Sequence, residues 1–329
     1  MDFSELLVAK LKERGIADSS IALYVRNMEK LNDNKSLNNL NFLKKYPTII
    51  EKLKAYKPNT QRGFLISIVS CLTSFKGEKG VDKLLKRYYQ TMIDLTKNIN
   101  STAHNGEKTE TQSSNWEDWK QVQNTWEQLK TSALSNISSP ITEGEYNRLL
   151  DLVVLSLYVC IPPRRNSDYN NMKVVSQYTP EVADALSGSN ILDWGNRRFI
   201  FRRYKTSKKY GEVVIDIPPE LYQILQVYFD KKGILRHLQP ATKTKGKASK
   251  ATAPLFVEPF LTFWNDKPFV INSITRILNR IFGKKIGSSM LRHIFTTNKF
   301  GKQLEEQKEI AEQMGHSVAE MNQTYIKND

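Results

Sequence analysis

Cysteine is nearly absent from this sequence: Cys71 and Cys160 are the only two in 329 residues, they lie far apart, and no CxxC spacing occurs. That scarcity excludes a disulfide framework and a structural zinc site, and it suits a reducing, intracellular compartment. Long apolar runs are missing as well. No stretch approaches the roughly 18 apolar residues of a membrane span, and the segment from Met1 to Arg14 is amphipathic and charged, unlike a signal peptide. Neither export nor membrane insertion is expected. There is no Walker-type glycine loop and no acidic metal cluster, so the reading calls for no nucleotide cofactor and no metal. Acidic residues are in deficit, 34 Asp and Glu against 49 Lys and Arg, for a formal charge of +15. A surplus of that size favours a polyanionic partner, of which nucleic acid is the commonest.

The length has room for two domains of roughly 100 to 200 residues each. The first hundred residues read as an all-α module. Asp18, Ser19 and Ser20 offer caps to a helix with Ile21, Tyr24, Val25, Met28 and Leu31 at helical spacing. Pro58 opens another, with Phe64, Leu65, Ile68 and Leu72 on one face, and a third runs from about Val81 to Ile99. The polar stretch from Asn100 to Asn115 has the composition of a linker. This predicts a helical domain over 1–105, a linker and Trp-bearing helix over 106–138, and a second domain over 139–329.

The Trp-bearing helix carries Trp116, Trp119, Val122, Trp126, Leu129 and Ala133 on one face, a pattern expected to face a core. A strongly apolar helix follows from Thr142, with Glu145 positioned for a capping box, and Pro162 and Pro163 stop it. From Ile191 to Pro218 two strands flank a Gly195-Asn196 turn, and a third follows a Lys-rich turn. These read as a three-stranded antiparallel meander. Beyond Pro219 the pattern returns to helix and loop. The segment from Arg236 to Pro254 is lysine-rich, and Lys243, Lys245 and Lys247 are candidates for DNA-backbone contacts. The fold class expected is therefore mainly α with a small antiparallel β-sheet.

The chemistry concentrates near the C-terminus. Ser288 or Ser289 is placed to cap a helix ending near Gly301, which puts Arg292 in its first turns. A cation is badly placed at that end of a helix, and a bound phosphate would remove the conflict. Further on, Met314-Gly315-His316-Ser317 ends one helix and starts another, and Tyr325 lies nine residues beyond His316. A bend at Gly315 would bring imidazole and phenol to one centre.

These residues resemble the tyrosine recombinase and integrase family. The family's order is an arginine, a hairpin lysine, a His-x-x-Arg helix, a Gly-His or Gly-Trp turn, and a nucleophilic tyrosine about nine residues later. Here stand Arg165 in Pro-Pro-Arg-Arg-Asn-Ser-Asp, Lys205 in Tyr-Lys-Thr-Ser-Lys-Lys, Arg292 in Leu-Arg-His, His316 in Met-Gly-His-Ser, and Tyr325. The resemblance covers about Ser138 to the end, and more loosely the helical module, which is similar to the family's core-binding domain.

What it implies is a strand transferase working on double-stranded DNA through a 3′-phosphotyrosyl intermediate, free as a monomer or dimer and tetrameric on paired sites. Arg165 and Arg292 would neutralise the phosphate, with Arg164 as alternative to Arg165 and Asp168 oriented to support it. Lys205 would protonate the leaving oxygen, with Lys208 and Lys209 in the same turn left open as alternatives or DNA contacts. Ser289 stands where the family most often has histidine, and His293 beside Arg292 corresponds to a supporting position. Only four residues follow Tyr325, so no exchanged C-terminal helix is expected. Two neighbouring readings use the same residues: a type IB topoisomerase-like nicking-closing enzyme, and a DNA-binding protein that kept the fold and lost the activity. The separate helical module argues against the first, and the retained Tyr325, Arg165, Arg292 and Lys205 against the second. By analogy, the setting is the DNA-containing compartment, in a mobile element or virus.

Overall fold

The computed structural model describes residues 2–103, 107–238 and 256–326. Helix accounts for 63% and strand for 6%, so the protein is mainly α with one small sheet. The chain divides into two compact units, Met1–Lys108 and Thr109–Asp329. No described helix is long and apolar enough to cross a membrane.

The first unit is built from α1 (Phe3–Glu13), α2 (Asp18–Leu31), a 3₁₀ turn at Asn41–Lys44, α3 (Tyr46–Lys54), α4 (Pro58–Thr73) and α5 (Val81–Ala103). Its core collects Ile21, Met28 and Leu31 of α2 with Phe64, Leu65, Ile68 and Leu72 of α4, the faces that helical spacing selected. Two polar bonds tie it together: buried Asn27 donates to the Ser67 hydroxyl at 2.9 Å, and buried Tyr88 donates to the Leu43 carbonyl at 2.9 Å. The cap of α2 is Ala17, with no side-chain bond, and Asp18 is already the first helical residue.

The second unit begins with α6 (Glu110–Asn115), α7 (Trp119–Leu134), α8 (Glu143–Val159) and α9 (Asn166–Asn170). Part of the polar stretch expected as linker is thus helical, because Thr109 and Gln112 close a reciprocal capping box. Thereafter come β1 (Lys173–Val175), α10 (Pro180–Ala185), β2 (Ile191–Asp193), β3 (Arg198–Phe201), α11 (Ser207–Tyr210), β4 (Val213–Asp216), α12 (Pro219–Lys231), α13 (Leu235–Leu238) and β5 (Val257–Pro259). The chain then forms α14 (Ser273–Phe282), α15 (Ser288–Gln313), the short α16 (Val318–Glu320) and a π turn at Met321–Tyr325.

α8 is the hub of this unit, with Leu152 to Tyr158 buried without interruption. Its start is fixed by the capping box of Thr142 and Glu145. The Glu145 carboxylate, bonded to Thr142 and Ser138, is held at a pKa of about 2. The Trp stripe packs on α8: Trp126 of α7 is buried and donates to the buried Ser156 hydroxyl at 2.8 Å, Trp119 and Leu129 of α7 are partly buried against the same core, and so is Trp116, which stands outside α7 as the extended C-cap residue of α6 instead of sharing its helix.

The sheet has the order β4-β3-β2-β1-β5. β2, β3 and β4 form the antiparallel meander expected from Ile191 to Pro218. Two further strands enlarge it: β1 runs parallel to β2 and β5 antiparallel to β1, making the sheet mixed. The β2–β3 turn requires glycine, because a Cβ on Gly195 would stand 2.6 Å from the Ser176 carbonyl oxygen. Buried Asp193 accepts from Asn196 at 2.8 Å and from Arg198 at 3.1 Å, which pins the turn.

Candidate active site

Three groups of side chains carry the candidate chemistry, and each is fixed by its local fold. The first lies on α15. Met290, Leu291 and Ile294 face the core, so helical periodicity turns Ser289, Arg292, His293 and Thr296 outward. There they line a cleft of about 350 Å³, closed on its other side by Pro162 and Pro163. Trp119 holds this part of α15 edge-on through Phe295, with ring centroids 5.2 Å apart. The N-cap is Gly287 and Ser288 is the first helical residue, so neither serine caps the helix. Nor does the helix stop at Gly301. Glycine inside a helix costs only about 1 kcal/mol relative to alanine, and the Lys302-to-Gln313 run of helix formers carries it on.

The second group follows Pro162 and Pro163, in the turn between α8 and α9. Arg165 is the half-buried N-cap residue of α9, and among the described residues no carboxylate pairs with it. Asp168 pairs instead with Arg164, whose Nε donates to it at 3.0 Å. Arg164 also lies over Phe201 at 3.8 Å and Tyr204 at 5.1 Å. This corrects the expected arrangement: Asp168 does not orient Arg165, and Arg164 is occupied inside the fold rather than offered to DNA. The reason is packing, since Arg164 is the arginine held over the Phe201 and Tyr204 rings beside the Asp168 carboxylate.

Buried Asn190 extends this group. Its amide nitrogen donates to the carbonyls of Asp168 at 2.7 Å and Arg203 at 3.0 Å, and its oxygen accepts from the backbone of Arg202 at 2.8 Å and Arg203 at 2.7 Å. One side chain therefore locks α9 to the end of β3, where the Lys205 turn begins. Lys205, Lys208 and Lys209 are exposed in the β3–β4 connection, which includes the one-turn helix α11. Lys209 lies 5.1 Å from the Tyr210 ring. Lys243, Lys245 and Lys247 fall outside the described residues.

The third group follows α15. Gly315 takes a left-handed backbone (φ +72°), and the His316 amide closes back on the Ala311 carbonyl at 2.9 Å. The Ser317 hydroxyl accepts the Glu320 amide at 3.1 Å and starts the next helical turn. Buried Met321 anchors that turn. The result is a contact between His316 and Tyr325: Nε2 lies 3.3 Å from the phenol oxygen, and the rings are 5.1 Å apart. Tyr325 is 50% exposed, so its oxygen is open to a macromolecular substrate. On the other side of the imidazole, Nδ1 stands 3.8 Å from the Glu320 carboxylate.

Two other tyrosines near these groups, Tyr158 and Tyr204, are poor nucleophiles. Tyr158, with Asp168 and Arg292 near it, is fully buried, and burial pushes its phenol pKa well above 10. Its hydroxyl donates to Asn166 at 2.8 Å. Tyr204 spends its hydroxyl on the Gly211 carbonyl at 2.8 Å.

The three groups are not joined to one another by hydrogen bonds or ion pairs: among the described residues none links Lys205, His316 or Tyr325 to Ser289, Arg292 or His293. Cations of like sign gain nothing by approaching without an anion between them. Chemically, the groups offer an exposed phenol beside an imidazole, two guanidinium groups without carboxylate partners among the described residues, a hydroxyl, and surface ammonium groups. His293, expected as a supporting residue, is exposed in the cleft beside Arg292. Asn190 and Glu320 were not singled out in the sequence. Asn190 has no motif to announce it, whereas Glu320 is readable as the residue four beyond His316. No group of three or more His, Cys, Asp or Glu among the described residues forms a metal-binding cluster. No family model matches the chain, and no curated protein and no solved structure matches it.

Proposed function

We propose that this chain is a tyrosine-type site-specific DNA recombinase or integrase, which cuts and rejoins duplex DNA through a covalent 3′-phosphotyrosyl link to Tyr325. The observation that carries the reading is the contact between an exposed Tyr325 phenol and His316, made at a Gly315 bend where the motif calls for it.

In this mechanism the phosphodiester is the anion that draws the three groups together. Arg165 and Arg292 neutralise its non-bridging oxygens, and Ser289 donates one further hydrogen bond. The Tyr325 oxygen attacks phosphorus, and the bond to the 5′ oxygen breaks. Lys205 gives that oxygen its proton. Because the phosphotyrosine retains the bond energy, religation proceeds by the reverse step without a nucleotide cofactor. Lys208, Lys209, Lys243, Lys245 and Lys247 contact the DNA backbone, and a tetramer forms on paired sites. The helical first unit clasps the duplex. Arg164 and Asp168 support the site from inside the fold.

The test uses a pool of nicked suicide duplexes with randomised arms, so that the enzyme selects its own site, and a denaturing gel. A covalent adduct is expected with the full chain in the presence of a chelator, and none with Tyr325→Phe at equal DNA affinity. Failure of the full chain to form an adduct on any sequence, or survival of the adduct in Tyr325→Phe, would refute the proposal.

A further inference from the structure

We infer that Glu320 is a positioning residue for the nucleophile, holding His316 in the tautomer whose free Nε2 takes the proton of Tyr325. The inference rests on the strand-transfer reading and names a part of that site which the motif residues do not include.

The geometry is a line of three groups. The Glu320 carboxylate faces Nδ1 at 3.8 Å, and Nε2 faces the Tyr325 oxygen at 3.3 Å. Both distances are long for hydrogen bonds, as is common at catalytic groups before substrate binds. A neutral imidazole has one N–H and one lone pair, and a carboxylate can only accept. Opposite Glu320 the proton therefore belongs on Nδ1, which leaves the Nε2 lone pair directed at the phenol.

The local fold sets this up. Ser317 caps α16, and Glu320 is the third residue of the turn, where a glutamate ordinarily swings back to the amide of the capping residue. Here no such return bond is made among the described residues, and the carboxylate stands beside His316 instead. The backbone of all three residues is fixed within one short segment: Gly315 places His316, the Ser317 cap places Glu320, and buried Met321 anchors the turn that ends at Tyr325.

The proton balance closes. As the Tyr325 oxygen bonds to phosphorus, its proton passes to Nε2, and the imidazolium formed lies against the Glu320 carboxylate. The departing 5′ oxygen takes a separate proton from Lys205. In religation both protons return. Glu320 changes no bond of its own; it selects the tautomer and stabilises the cation.

The test reads the tautomer and the reaction separately. The chain has four histidines, so imidazole ¹⁵N signals of the full-length protein are assignable, with His316→Gln identifying the signal sought. We expect the Nδ1–H form at His316 in the free protein and a shift to the Nε2–H form in Glu320→Gln. First-order cleavage of a suicide substrate at saturating protein should fall by one to two orders of magnitude in Glu320→Gln, part of the roughly 10² to 10⁴ that a positioned base contributes. DNA affinity should be unchanged, and Glu320→Asp should recover part of the rate. A capping role alone would leave the tautomer unmoved, since glutamine also closes a capping box. An Nε2–H signal in the wild type, or unchanged cleavage in Glu320→Gln, overturns the assignment. A wild-type chain with the Nδ1–H signal that never forms an adduct defeats the recombinase reading and keeps the Glu320–His316 pairing.

Discussion

Two adjacent arginines allow the account to be tested by separating stability from chemistry. Arg164 is bonded to Asp168 at 3.0 Å, and the two side chains are only 16% and 3% exposed. Replacing Arg164 by alanine leaves a buried carboxylate without its partner, a change that costs about 3 to 5 kcal/mol. Loss of the guanidinium from the faces of Phe201 and Tyr204 acts in the same direction. For a unit of this size each kcal/mol lowers the midpoint by about 2 to 4 °C, so Arg164→Ala should lose about 6 to 20 °C. Arg165 has no such partner among the described residues, and Arg165→Ala should stay within about 0.5 kcal/mol of the wild type. Its effect should fall on cleavage, with a loss of about 10² to 10³ at saturating protein, and Arg292→Ala should match it. Tryptophan fluorescence is the assay for stability, because all five tryptophans lie in the second unit and report its unfolding alone. If Arg165→Ala proved as unstable as Arg164→Ala, or if Arg164→Ala unfolded like the wild type, the division of labour drawn here would be wrong.

Ser289→Ala should slow cleavage only about 2- to 13-fold, which is the kinetic equivalent of one neutral hydrogen bond of about 0.5 to 1.5 kcal/mol, and Ser289→His should be tolerated. A Ser289→Ala enzyme as inactive as Tyr325→Phe would contradict that assignment, and loss of cleavage in His293→Ala alone would transfer the role to His293. Asn190→Ala orphans four backbone groups at once, so it should lower the fluorescence midpoint and cleavage together, at about 1 to 3 kcal/mol for each group left buried without a partner. A normal midpoint with normal cleavage would show that α9 and the hairpin are held by something else.

Much of this fold is legible in the sequence because its signals are local. The apolar faces of α2 and α4, the Thr142–Glu145 box and the Gly195-Asn196 turn are each set within a few residues, and each stands where the pattern puts it. Signals that depend on distant partners were not legible. β1 and β5 are three-residue strands whose pairing joins Lys173 to Pro259, too short for alternation to show and too far apart for a hairpin. Gly301 was a plausible stop, but nothing after it resists helix, and α15 continues to Gln313. At the site, His316 and Tyr325 were legible because a glycine bend and a nine-residue interval fix their meeting. Asp168 was not, because two neighbouring arginines compete for it and only packing against Phe201 and Tyr204 favours Arg164.

The proposed chemistry turns on one atom, the phenol oxygen of Tyr325. A covalent adduct trapped on a suicide duplex can be trimmed with nuclease, digested with protease and sequenced by mass spectrometry to find the modified residue. The expected product is a 3′-nucleotide phosphate on Tyr325 and on no other residue. A linkage to Tyr204 or Tyr210 on the hairpin, or to a serine, would contradict it.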